Sequence, residues 1–244
     1  MIGRLSRFIC TIVVILGHFS TSAWASPVAL GHDAEVIKIG FPEQYIEPYS
    51  LVDANGKVTG LLPELFKLYA SHAGYRVEVQ TFPTFHDVMT AFTKGELDAM
   101  VGVSATLGRD SIMKFSEPIL AVRRVTVSTE AIQSYKELET KTLTAITGFA
   151  DKSFLTNVLP KAQVLSVPSN YEAIKAIASG LADAQIGDGI MLYEHYKNSP
   201  YKDDVDLYVL DDLPVDTLYI GVAHSEPELL QRLNRMIIAI GNNV

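Results

Sequence analysis

The chain has 244 residues, 48% of them hydrophobic and 20% charged, with 28 acidic against 20 basic side chains and a formal charge of −8. That composition excludes a disordered, collagen-like or disulfide-stapled chain and leaves room for one large domain or two small lobes. An acidic chain without a basic run is not built for nucleic acid or an anionic membrane.

The first 25 residues read as a cleaved signal peptide. Arg4 and Arg7 give a positive start, Phe8 to Leu16 is apolar apart from Thr11, and Ala23-Trp24-Ala25 is a small-x-small site before Ser26. The apolar run is too short to span a bilayer. Cys10, the single cysteine, leaves with that segment. The mature chain then has no disulfide, thiol nucleophile or cysteine ligand, which suits a bacterial periplasm.

Val36–Phe41 predicts a first buried strand. Asp53-Ala54-Asn55-Gly56, between Tyr49–Val52 and Lys57–Thr59, carries the Asn-Gly signal of a hairpin. Leu62–Ala73 has helical apolar spacing and stops at Gly74.

A segment then occurs twice. Residues 79–102 and 164–187 align without a gap and agree at seven of 24 positions, including Pro83/Pro168, Gly95/Gly180, Asp98/Asp183 and Gly102/Gly187. Each copy reads strand, Pro, Thr or Ser cap, amphipathic helix, Gly stop and second apolar strand. Such crossovers build parallel sheets with the helices outside.

Two copies imply two similar α/β lobes. Ligands of open α/β sheets sit beyond the carboxyl ends of the strands. Ser104-Ala105-Thr106 and Asp188-Gly189 follow the repeated strands and are expected to face a shared cleft. Asp98 and Asp183 recur in register, which favours a turn or cap role over ligand contact. Val122–Ser128 is expected as one strand leaving the first lobe. Leu143–Ile146 and a helix over Ser153–Leu159 follow. Leu218–Ala223 is expected to return, before a closing helix over Pro227–Ile240.

Several motifs in this order resemble a known family. They are Pro48-Tyr49-Ser50 with Asn55-Gly56-Lys57-Val58-Thr59-Gly60, Gly95-Glu96-Leu97-Asp98, Thr106-Leu107-Gly108-Arg109, Phe115-Ser116-Glu117-Pro118, and Gly180-Leu181-Ala182-Asp183-Ala184 leading to Asp188. The mature chain is similar to type 2 periplasmic solute-binding proteins of the polar amino-acid family, which share the venus-flytrap fold of some sensor domains. The resemblance implies an α/β protein of two Rossmann-like lobes with central mixed sheets and a hinge. Lobe 1 is expected over 26–128 with the return segment 216–244, and lobe 2 over 129–215.

It also implies roles. Arg109 would clamp a ligand carboxylate, for which a guanidinium fork is well shaped, the alternative being a surface ion pair. Gly102 and Ser104 would touch the same ligand. Asp188 would receive its ammonium, or merely cap the helix beginning near Gly189. Thr147 and Gly148 precede a helix whose free N–H groups suit a carboxylate. Tyr45 and Tyr49 would stack on the ligand or be buried in the core.

Two departures stand out. The acid the family often has after the first strand is replaced by Glu43 in a longer loop, and Ile146 occupies a position that is often polar. The expected function is capture of a small zwitterion, an amino acid or related carboxylate, by a monomeric periplasmic protein for the membrane permease of an ABC-type importer. The alternative is ligand sensing for a membrane receptor. A dehydratase of prephenate-like acids would need a proton-donating acid, for which Glu43, Glu47, Glu172 and Glu194 are the candidates. No cofactor, metal spacing or catalytic triad is expected.

Overall fold

The computed structural model describes residues 34–43, 47–106, 108–147 and 151–241. The expected signal peptide, Tyr45 and Gly148 lie outside the described residues. The described residues begin with β1 (Val36–Pro42), a hairpin of β2 (Leu51–Val52) and β3 (Val58–Thr59), α1 (Leu61–His72), β4 (Arg76–Phe82), α2 (Phe85–Thr93) and β5 (Ala99–Ser104). Short strands β6 (Lys114–Phe115) and β7 (Leu120–Val122) follow. Next come β8 (Arg124–Ser128), β9 (Thr142–Ile146), α3 (Asp151–Val158), β10 (Gln163–Val167), α4 (Asn170–Ala178), β11 (Ala184–Asp188) and α5 (Gly189–Asn198). The described residues close with β12 (Asp206–Val209), β13 (Asp216–Val222) and α6 (Pro227–Gly241).

Two mixed sheets share one plan. The first runs β4-β1-β5-β13-β6, with β7 also on β13, and the second runs β10-β9-β11-β8-β12. In each, three parallel strands are followed by an antiparallel one, β13 in the first and β8 in the second. The repeated segments are β4-α2-β5 and β10-α4-β11, and in both sheets an outside strand, β1 or β9, is inserted between the two repeated strands.

The local grammar explains the likeness. Thr84 accepts from the Asp87 N–H while Asp87 accepts from the Thr84 N–H, a reciprocal cap on α2. Ser169 caps α4 one way only, accepting from the Glu172 N–H. Gly95 and Gly180 end the two helices at φ 75° and 74°, a backbone region that disfavours other residues. Asp98 and Asp183 then pin the inserted strands. Their carboxylates accept from the Lys38 and Thr142 N–H groups at 2.7 Å each, and their own N–H groups donate to the carbonyls of those residues.

Strand β5 has apolar residues on both faces, but not in simple alternation. Ala99 and Val101 join the cluster around Ile39, Phe66 and Ile220, whereas Met100 and Val103 join the one around Phe92, Leu97 and Met113. The pairing with β13 jumps from Val103↔Tyr219 to Val101↔Ile220, leaving Gly102 as an extra residue at φ 78°. That bulge turns Val103 onto the opposite face from Val101. Each buried side chain of this size contributes about 1.5–3 kcal/mol, so the bulge stabilises both clusters.

The structure corrects one expected element. Val122–Ser128 is not one strand but two, broken at Arg123, and β8 belongs to the second sheet. The chain therefore changes sheets at Arg123, ahead of the boundary expected at Ser128. It crosses back between β12 and β13. Val125 and Val127 pack with Ile174, Ile177 and Leu192 of the second lobe, which explains why β8 stays there.

Candidate functional site

The ends of β1 and β5 and the start of α5 enclose a cavity of about 100 Å³. Its walls include Phe41, Leu62, Phe85, Val88, Met100, Met191 and Leu218, with Gly102, Ser104, Tyr49, Arg109, Asp188 and Asp216 as its polar and small members. Ser104 and Asp216 also line a neighbouring, wider compartment of about 580 Å³, together with Arg124 and, on α3, Phe154 and Asn157. Ser104 and Asp216 thus border both spaces, which lie between the first sheet on one side and α3, α5 and β8 on the other.

Arg109 reaches the cleft from the turn after β5. Gly108, at φ 91°, reverses the chain, and a short 3-10 helix (Arg109–Ser111) carries the side chain. The guanidinium donates from Nη1 to the Ser104 carbonyl at 2.9 Å and lies 5.6 Å from the centre of the Phe85 ring. Burial lowers its pKa and the nearby Asp216 opposes that shift, but a guanidinium stays charged. No carboxylate among the described residues forms an ion pair with it. The cavity thus holds a positive fork with donors to spare, suited to an acceptor with two oxygens.

Asp188 ends β11 and begins α5, and both oxygens of its carboxylate are engaged. Oδ1 accepts from the N–H groups of Ile190 and Met191 at 3.0 and 2.9 Å, capping the helix. Oδ2 accepts from the Tyr49 hydroxyl at 2.6 Å. Both side chains are buried, Tyr49 at 4% exposure and Asp188 at 7%. Burial raises the Asp188 pKa, and Asp216 adds to the rise, while the two backbone donors and Tyr49 work against it. Burial also raises that of the Tyr49 phenol. The bond joins the first lobe to the second, and Met191 of α5 packs into the first lobe's cluster beside it.

Asp216 and Arg124 are the site residues that sequence reasoning missed. Asp216 lies at the start of β13 and forms an ion pair with Arg124, its carboxylate 3.1 Å from Nη2, with side-chain exposures of 13% and 8%. The Arg124 guanidinium also lies 3.9 Å from the centre of the Phe154 ring. An arginine opening a strand as apolar as Val125–Val127 was the available signal, because a charge at such a position needs a partner.

Of the residues expected at the site, Arg109, Ser104, Gly102, Asp188 and Tyr49 come together around the cavity. Thr147 does not line it: the residue is exposed, and its N–H and hydroxyl both point to the Val167 carbonyl. Glu43 is also exposed and away from the cavity. Glu172 and Glu194 are paired to Lys175 and Lys197 on helix surfaces. Among the described residues there is no group of three or more side chains able to hold a metal.

Comparison with known proteins gives these features a context. Residues 37–243 match the bacterial extracellular solute-binding proteins, family 3. The amino-acid-binding protein AabA of Dichelobacter nodosus is 27% identical over 183 residues, or 71% of this chain and 72% of that protein. The virulence sensor protein BvgS of Bordetella pertussis is 25% identical over 207 residues, which make up 84% of this chain but only 17% of the sensor. Among solved structures, the ancestral amino acid-binding protein AncCDT-1, a precursor of cyclohexadienyl dehydratase, has the same fold. It superposes with a TM-score of 0.70 at 23% identity, covering 85% of this chain and 89% of that one. With a match across nearly all the described residues, the chain belongs to the family 3 bacterial extracellular solute-binding proteins.

Proposed function

We propose that this protein captures a small carboxylate-bearing solute of amino-acid size, an amino acid or a related carboxylate, in the periplasm and delivers it to the membrane permease of an ABC-type importer. One observation carries the proposal: the Arg109 guanidinium lines an apolar cavity, held by the Ser104 carbonyl and Phe85, without an ion-pair partner among the described residues. A half-buried fork of this kind binds a carboxylate with two charge-assisted hydrogen bonds. Ser104 and Gly102 lie beside it on the first lobe, and Asp188 and Met191 cover it from the second. Contacts made only when both lobes meet the ligand supply the differential affinity that shifts an open–closed equilibrium. The name of AabA as an amino-acid-binding protein supports the size class.

A thermal-shift screen of the protein against the amino acids and their parent carboxylates tests the reading. A true ligand raises the melting temperature in proportion to the logarithm of its concentration. A screen in which no small carboxylate moves the transition overturns it.

A second reading is ligand sensing, favoured by the similarity to one part of BvgS. The two roles use the same cleft and differ in the membrane partner. A gene neighbourhood encoding a permease and an ATPase supports import, and one encoding a kinase supports sensing. A dehydratase is the weaker third reading, because fold likeness to a precursor of such an enzyme is no evidence of its chemistry.

A further inference from the structure

The cavity holds two carboxylates, and both already have partners. Asp216 is paired with Arg124 across the two sheets at 3.1 Å. Asp188 accepts three hydrogen bonds, two from the start of α5 and one, at 2.6 Å, from the buried hydroxyl of Tyr49. A ligand ammonium seated against Asp188 would have to displace that hydroxyl or share Oδ2 with it. Displacement strands a buried phenol without an acceptor and breaks a bond that holds the lobes together, both of which cost free energy. The rest of the wall is mainly apolar, formed by Phe41, Leu62, Val88, Met100, Met191 and Leu218, with the neutral hydroxyl residues Ser50 and Ser104 and no further carboxylate. Glu43, the nearest acid after β1, is exposed and outside the cavity.

We infer that Tyr49 is a specificity-determining residue. Its hydroxyl occupies the acceptor that a ligand ammonium needs, and so selects apolar carboxylates that lack an amino group over the matching amino acids. The inference rests on the proposed reading of Arg109 as the carboxylate clamp and narrows it to a ligand class. In the closed protein the carboxylate meets Arg109, the apolar body fills the cavity, and the Tyr49–Asp188 bond stays intact. Specificity then comes from a polar group already satisfied in the protein, which a competing cation must disrupt.

Calorimetric titration with matched pairs tests this: L-alanine and propanoate, L-leucine and 4-methylpentanoate, L-phenylalanine and 3-phenylpropanoate. Each is run on the wild type and on Tyr49→Phe, whose folding is checked by its melting transition. In the wild type the amine-free member of the pair that fits best binds more tightly. In Tyr49→Phe the preference moves toward the amino acid by about tenfold, the effect expected of one hydrogen bond to a charged group. A wild-type preference for the amino acid overturns the inference and leaves the carboxylate site standing. So does a ratio that Tyr49→Phe leaves unchanged. If no member of any pair binds the wild type, the clamp reading fails along with the inference. If Tyr49→Phe does not fold, the wild-type comparison alone decides.

Discussion

Arg124 Nη2 lies 3.1 Å from the Asp216 carboxylate, and each of these residues opens the strand that follows a crossing between the two sheets. The pair therefore ties together the two connections that run between the lobes. Beside it, exposed Arg123 and Asp211 link the same connections at 2.6 Å, a contact that water and salt largely screen.

Breaking the buried pair from one side leaves an uncompensated charge. Asp216→Asn and Arg124→Met are each expected to lower stability by about 3–5 kcal/mol, and the double variant by less than the sum. Chemical denaturation of the four proteins measures this. The exposed pair offers the contrast: Arg123→Ala is expected to cost less than about 1 kcal/mol.

Gly102 and Gly56 have nearly the same backbone, at φ 78° and 79°, but different surroundings. A Cβ on Gly102 would lie 2.3 Å from Leu62 Cδ1, whereas a Cβ on Gly56 meets nothing within 4 Å. Gly56→Ala should cost about 1 kcal/mol from backbone strain alone. Gly102→Ala should cost about 2–4 kcal/mol, because overpacking adds to the strain. It also pushes Leu62 toward the cavity and weakens ligand binding. Denaturation midpoints of the two variants isolate the packing contribution.

Asp188 gives a signed pH dependence. Burial raises its pKa in the folded protein, so the folded state keeps the proton to higher pH than the unfolded chain does. Stability from this group is therefore present at low pH and falls as pH rises from the ordinary aspartate value of about 4 through the raised one. Asp188→Asn removes the titration while keeping the cap. Its melting temperature, followed from about pH 4 upward, should gain on the wild type as pH rises. A wild type that gains on Asp188→Asn as pH rises would contradict the assignment.

The halves of the fold were legible because their signals are local. Pro83, Thr84, Gly95 and Asp98, with their counterparts in the second copy, each act within a few residues or on one neighbouring strand. The exchange of strands was not legible. Val122 to Ser128 is continuous in character, and only packing against Ile174 and Leu192 draws β8 to the other sheet. At the site, Arg109 was visible through a motif. Asp188 was visible as both a cap and a ligand group, and the structure shows the cap together with a bond to Tyr49. That bond spans 139 positions of sequence, and no periodicity carries such a pairing. Asp216 and Arg124 escaped notice for the same reason.

The most direct measurement is calorimetric titration of the best-binding carboxylate into the wild type and Arg109→Ala. Loss of two charge-assisted hydrogen bonds predicts an affinity lower by about a hundredfold or more, with an unliganded melting transition close to that of the wild type. Equal affinity in the two proteins would contradict a cleft organised around that guanidinium.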